Sequence, residues 1–407
     1  MKNFHYGYVI VACQFLVMFV IVGLVMSCAG IFYRPVSQDL GVDVGRFGIY
    51  MSLNFLFSTL TLSFAGKVMD KYSARAILAT ASAVIGLVFL AMSSFNAVWQ
   101  FYGAGIVFGI SLAFLLYLGL PTMLNRWFKT KMGLFIGICS AGSGIGGVLF
   151  NPIAGYLITE LGWRTTYLIF GFIVLAVVTP VLAIFLRNHP KDKGLLPYGA
   201  EQAPVTAHLV QIETGIDYAR AVKMPIFYAL VVFAFLINGA ATLNVLLPAY
   251  AQSIAFTLEE AAFVASAAMV GVTVGKVGLG AINDKSVAAG IITTVGLGVA
   301  GLLLLIMADA HLAMAVAGGF FFGWAYAGVT VQTPLLVRRV FGQKNYAQIY
   351  SVVSMAIAIG GAIAVGGWGL LAAATSFRFI LWVGIAALLT VGLIGAAALR
   401  SSSSKVA

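Results

Sequence analysis

Of the 12 acidic and 23 basic side chains in this 407-residue chain, only Lys276 falls well inside a long apolar run. It stands eight residues before Asp284, which at about 1.5 Å per helical residue places it roughly 12 Å from that aspartate along a helix. An ammonium at that depth in a membrane costs at least a few kcal/mol and marks a function by default, and its chemistry would be the binding of an anion. The competing reading has Lys276 snorkel to the interface, or rest on a backbone carbonyl. Tyr117 lies eight residues before Asn125, at a comparable depth in another apolar run, and its hydroxyl could donate to an anion or simply pack with its hydroxyl on a carbonyl. Asn54, Asn238, Asn244 and Trp324 are further polar groups in apolar surroundings, and we take them as candidate substrate contacts.

Other chemistries lack their residues. The histidines, His5, His189, His208 and His311, are scattered over run ends and loops, with neither metal nor triad spacing. The three cysteines, Cys13, Cys28 and Cys139, fall inside apolar segments and read as small apolar fillers. The glycine-rich stretch Gly137 to Gly147 has no preceding strand and no Gly-Lys-Ser/Thr ending, so it is no phosphate cradle; small residues at helical spacing let membrane helices pack closely. No catalytic residue, metal site or cofactor is expected, and the chain is not read as an enzyme.

The elements that position these residues follow from composition. Hydrophobic residues make up 62% of the chain and charged ones 9%, against about 25% charged in soluble domains, so lipid must be a partner. A span needs about 20 apolar residues, and twelve such runs can be laid out: 8–33, 46–66, 76–94, 98–123, 132–158, 164–186, 226–250, 260–282, 287–307, 312–335, 347–372 and 377–399. The first is too long for a signal-peptide core and is read as a retained span. The expected fold is an all-α membrane protein of twelve transmembrane helices in two pseudo-symmetric six-helix bundles, 1–187 and 224–407, joined by a polar linker at 188–223. With the N-terminus in the cytoplasm, 18 basic residues lie inside and only four, Arg34, Arg46, Arg164 and Arg378, outside. That asymmetry places both termini in the cytoplasm and the chain in the cell membrane as a multi-pass protein. The net charge of +11 thus sits in short loops; it forms no nucleic-acid face.

An internal repeat supports the two halves. After span 2 the chain reads Gly66-Lys-Val-Met-Asp70-Lys71-Tyr-Ser-Ala-Arg75, and after span 8, Gly280-Ala-Ile-Asn-Asp284-Lys285, each Gly-x3-Asp-Lys and 214 residues apart. The glycine lets helix ends approach and the aspartate can cap or pair across a neighbouring helix end. Gly66, Asp70, Lys71, Arg75, Gly280, Asp284 and Lys285 are therefore read as a conformational latch. Carrying Tyr117 forward by the same offset brings Gln332 into its layer, which makes Gln332 a candidate contact.

This paired pattern resembles the major facilitator superfamily, whose loop between helices 2 and 3 carries a similar Gly-x3-Asp-Arg/Lys-x-Gly-x-Arg sequence; Ser73 replaces the second glycine. Asn125-Arg126-Trp127-Phe128-Lys129-Thr130-Lys131-Met132-Gly133, Gly162-Trp163-Arg164, Pro225-Ile-Phe227 and Phe32-Tyr33-Arg34-Pro35 resemble segments of oxalate/formate antiporters and monocarboxylate transporters. The resemblance implies alternating access by rocking of two halves about a midplane site, an arginine on helix 8 for the substrate carboxylate where this chain has Lys276, and a site tyrosine at Tyr117. Lysine supplies a point charge without the bidentate fork.

The expected function is secondary active or facilitated transport of small organic monoanions such as lactate or pyruvate, by a monomer, with a coupled proton or counter-transported anion left open. Efflux of lipophilic drugs or other organic solutes is the alternative. It is disfavoured for cations because no buried carboxylate is present in a span.

Overall fold

The structure is a computed structural model, and its described residues are 4–42, 44–200, 215–256, 258–309 and 311–403. Within a bilayer every backbone polar group must be satisfied internally, so long apolar runs close into helices. Among the described residues eleven helices are long and apolar enough to cross a membrane. They are α1 (Gly7–Tyr33), α2 (Arg46–Lys71), α3 (Ala74–Met92), α4 (Val98–Trp127), the 54-residue Met132–Phe185, α7 (Pro225–Leu246), α8 (Phe263–Lys285), α9 (Val287–Ile306), α10 (Leu312–Phe341), α11 (Tyr346–Ala372) and α12 (Phe377–Ser401). Met132–Phe185 carries two of the expected spans, because its helical path is broken at Gly162, whose φ of 80° and ψ of 161° no helix contains. Its arms, 132–161 and 163–185, are α5 and α6, which completes the twelve.

The chain divides into two compact units, Met1–Thr130 with Cys139–Ile212, and Lys131–Ile138 with Glu213–Ala407. The first turns of α5 therefore group with the second unit and the rest of that helix with the first. In each unit a glycine on a long helix lets a neighbour's backbone come close. A Cβ on Gly146 would lie 2.2 Å from the carbonyl oxygen of Phe19, and one on Gly360 would lie 2.4 Å from that of Phe235, so α1 packs tightly on α5 and α7 on α11. Gly146 and Gly360 are again 214 residues apart. The second unit's core joins Tyr250, Val264, Leu302, Leu305, Phe322, Ile380 and Leu388, while Val148, Ile292, Leu370 and Leu393 stand more than two-thirds exposed, as residues that meet lipid do.

Ser73, the departure from the superfamily's second glycine, has its own task. It is the N-cap of α3, accepting from the Ala76 N–H at 3.3 Å, and Ser286 caps α9 through Ala289 at 3.2 Å. A serine cap satisfies an otherwise open helix donor.

Candidate functional site

Helix α8 positions the deepest charge of the second unit. Lys276 is 7% exposed and is the one Asp, Glu, Lys or Arg in the buried set among the described residues. The backbone around it is held from two sides. A Cβ on Gly137, in the first turns of α5, would stand 2.2 Å from the Lys276 carbonyl oxygen. On the other side Trp324 of α10 lies over Gly275 and Gly278; a Cβ at Gly278 would be 2.5 Å from the indole ring. Glycine on either side of Lys276 is therefore what admits this tryptophan at the lysine's level. The Trp324 indole nitrogen is buried without a hydrogen-bond partner. Lys276 and Trp324 are thus two sequence candidates that the fold brings to the same stretch of α8.

The remaining candidates of this unit are placed differently. Gln332 is fully buried and donates to the Val287 carbonyl at the start of α9 (3.3 Å), its own amide oxygen having no partner. Asn238 donates to the Ile357 carbonyl at 2.7 Å, tying α7 to α11. Asn244 falls in a 3₁₀ stretch, Thr242–Leu246, with its amide oxygen buried and unsatisfied.

In the first unit Tyr117 is half-buried on a π-helical stretch of α4, Ala113–Gly119. Such widened turns recur at functional sites because they redirect side chains and loosen the backbone ladder. Asn54 on α2 is 1% exposed; its amide group lies 3.5 Å from the Met26 sulfur, and its carbonyl oxygen is unsatisfied. Sequence reasoning missed Gln14 on α1, fully buried with neither side-chain polar atom partnered. A lone amide in an apolar run was the available signal.

The paired loops are resolved in detail. The Asp284 carboxylate accepts from the backbone N–H groups of Gly133 (2.8 Å) and Leu134 (2.9 Å), capping the first turn of α5. Gly280 makes this approach possible, since a Cβ there would lie 2.3 Å from the Gly133 carbonyl oxygen. Arg338 and Lys131 stand within electrostatic reach of the same carboxylate, and Arg338 also donates to the Met132 sulfur. In the first unit Asp70 pairs with Arg126 at 3.8 Å, and Arg126 donates to the Met69 carbonyl at 2.7 Å. Gly66 is buried, Lys71 lies over the Tyr72 ring, and Lys285 is exposed. Arg75 turns to α6, donating to the Ala183 carbonyl at 2.6 Å. Arg126 and Arg338, the cations that serve the two aspartates, were not singled out from the sequence; each lies in the last turn of the fourth helix of its half.

Two helical units, spans throughout and a buried cation define a membrane transporter, not an enzyme. The chain belongs to the major facilitator superfamily, whose sequence model matches residues 15–292 and 239–406. It is similar to the uncharacterized MFS-type transporter YhjX of Escherichia coli, 24% identical over 81% of this chain and 80% of that one. It is also similar to monocarboxylate transporter 12 of Mus musculus, 24% identical over 69% of this chain and 61% of that one. Shorter matches, over 40% of this chain, run to the oxalate:formate antiporter of Oxalobacter formigenes (26% identity, 38% of that protein) and to the aspyridones efflux protein apdF of Emericella nidulans (34% identity, 33% of that protein). Apart from YhjX, these matches span less than two-thirds of the relatives' length. Among solved structures, the fold is shared with the Escherichia coli fucose:proton symporter FucP, with a TM-score of 0.69 at 15% identity over 96% of this chain and 98% of that one.

Proposed function

We propose that this transporter carries small organic monoanions, monocarboxylates of the size of lactate or pyruvate, and that Lys276 is the charge that binds them. The observation that carries the reading is the burial of Lys276: no other Asp, Glu, Lys or Arg of the described residues is as deeply enclosed. A charge so placed costs at least a few kcal/mol, and an anionic substrate offsets that cost each time it binds. The names of monocarboxylate transporter 12 and the oxalate:formate antiporter support the same substrate class. Trp324 and Tyr117 would add neutral donors around the carboxylate, and the two Gly-x3-Asp-Lys loops would latch one state of an alternating-access cycle. We further take the chain as a monomer in the cell membrane with both termini cytoplasmic, on the 18-to-4 distribution of basic residues.

Uptake of labelled lactate into proteoliposomes tests the reading. Wild-type chain should accumulate it and Lys276→Met should not, while folding normally by size-exclusion chromatography. Transport by Lys276→Met at the wild-type rate would overturn the assignment. Efflux of lipophilic solutes is the second reading, favoured by the match to apdF; it gains if lipophilic neutral compounds are moved and lactate is not.

A further inference from the structure

The segment joining the two halves is fastened at both of its described flanks, and the fastenings fall at equivalent places in the internal repeat. On the first flank the Tyr198 N–H donates to the Trp127 carbonyl at 2.8 Å and the Lys129 N–H to the Tyr198 carbonyl at 2.9 Å, a single parallel bridge with Phe128. On the second flank Gly215 forms a single antiparallel bridge with Gly342, and the Ile216 N–H donates to the Phe341 carbonyl at 2.8 Å. Asp217 adds an ion pair to Lys344 at 2.9 Å, and the Tyr218 N–H reaches the Asn345 side chain at 3.3 Å. Phe128 and Gly342 are 214 residues apart, the offset of the two motif loops. So are Lys131 and Asn345, which close the two turns in the left-handed conformation with φ of 56° and 50°.

Local fit reinforces both fastenings. A Cβ on Gly199 would meet the Thr130 hydroxyl oxygen at 2.1 Å, and one on Gly215 the Phe341 carbonyl oxygen at 2.7 Å. The Tyr198 ring packs among His5, Tyr8 and Phe128, with centroids 5.5–5.6 Å away, and the His5 ring nitrogen Nε2 bonds the Leu196 carbonyl at 3.0 Å. A tether whose only task is to keep two halves in one chain needs none of this. What the flanks seize is in each case the last turn of a helix that carries an arginine beside a motif aspartate: Arg126 precedes Trp127 and pairs with Asp70, and Arg338 precedes Phe341 by three residues and stands by Asp284.

We propose that the linker flanks are positioning elements of the latch, the backbone bridges at Tyr198 and Ile216 fixing the ends of α4 and α10 so that Arg126 and Arg338 stand at their aspartates. This rests on reading the two loops as a latch. The direct reporter is the cap that Asp284 makes on Gly133 and Leu134, which hydrogen exchange of those amides follows in the full chain without any substrate. Ile216→Pro removes the N–H that bonds Phe341; Gly215→Ala crowds the same bridge and serves if the proline variant does not fold. Exchange at Gly133 and Leu134 should quicken by about three- to tenfold, the size of one lost backbone hydrogen bond passed on to the cap, and Ile216→Val should restore the wild-type rate. For the first flank, Tyr198→Pro should quicken exchange at the Tyr72 amide that closes α2 on Val68, and Tyr198→Phe should not. Unchanged exchange in folded Ile216→Pro, Gly215→Ala and Tyr198→Pro overturns the proposal. Failure of the latch reading looks different: Asp284→Ala would free the Gly133 and Leu134 amides yet leave lactate turnover at the wild-type rate, and the flanks would then position no latch.

Discussion

The same loop occurs twice in this chain, and the two copies do different work. Asp284 holds two backbone N–H groups of α5 at 2.8 and 2.9 Å, whereas Asp70, one-third exposed, meets a single guanidinium at 3.8 Å. The difference extends up the helices that precede the loops. Fourteen residues separate neither copy from its partner position: Lys276 and Leu62 each stand eight residues before their aspartate, both buried. Leu62 shows that an aliphatic side chain fills that level of the repeat without difficulty. The ammonium in the second copy therefore answers no packing requirement, and at a cost of about 2.5 kcal/mol or more it must be kept for something else. A near-symmetric backbone can thus carry an asymmetric site, with the charge in one half only.

The sharpest way to break this comparison is to make the halves alike. Lys276→Leu copies the first half into the second; it should fold at least as stably as wild type, because a buried charge is removed, and should lose essentially all anion transport in the lactate uptake assay. A fold that fails instead would mean Lys276 is structural. Lys276→Arg keeps the charge and should retain part of the activity with altered preference, since the fork favours planar carboxylates.

Substrate valence is the next largest effect. One buried cation neutralises one carboxylate and leaves a nearly neutral complex, whereas a dianion brings a second charge into a medium of low dielectric. Acetate or lactate should therefore outcompete oxalate by at least about tenfold, or about 1.4 kcal/mol. Equal competition by oxalate would show that a second cation takes part, and the single-charge account of the asymmetry would fail.

Much of this was legible in the residues themselves. The spans, the repeat and the isolation of Lys276 all follow from hydropathy and spacing, because in a bilayer a polar residue stands out against its neighbours. Gly162 was read as part of a motif before span 6 and proves to be the break that separates α5 from α6. What the sequence did not disclose are partners chosen by tertiary contact. Gln332, placed by the repeat in the layer of Tyr117, turns to the Val287 carbonyl, and Arg75, grouped with the latch, staples α6 at Ala183. Arg126 and Arg338 went unnoticed because a basic residue at the end of a span is what the positive-inside rule already expects. The orphaned amide of Gln14 likewise has no signature beyond its own polarity.

The two loops can be separated by their size of effect. Asp284→Ala removes a carboxylate that accepts two backbone N–H groups, bonds worth about 1.5–3 kcal/mol each when an ion takes part; Asp70→Ala breaks a partly exposed pair worth about 1 kcal/mol or less. Lactate turnover should accordingly slow about tenfold or more for Asp284→Ala and less than about fivefold for Asp70→Ala, with binding affinity near the wild-type value in both. Equal slowing would restore symmetry to the loops, and loss of binding in step with turnover would count against a latch.

Tyr117 supplies the finest test, because it belongs to the half that lacks the charge. Its hydroxyl rides on the π-helical stretch of α4, where the backbone is displaced from the regular ladder, and it would contribute one neutral donor to a substrate whose main anchor is Lys276. Tyr117→Phe removes that hydroxyl and preserves the ring, so packing is unchanged and the loss is one hydrogen bond, about 0.5–1.5 kcal/mol, or somewhat more where the acceptor is a carboxylate. Lactate affinity should fall several-fold to about tenfold, with turnover at saturation kept and discrimination among monoanions reduced. The order of effects is the point of the experiment: if Tyr117→Phe costs as much as Lys276→Leu, the first half contributes equally and the asymmetry is one of charge alone. No change in affinity or preference would assign the tyrosine to packing and leave recognition to the second half.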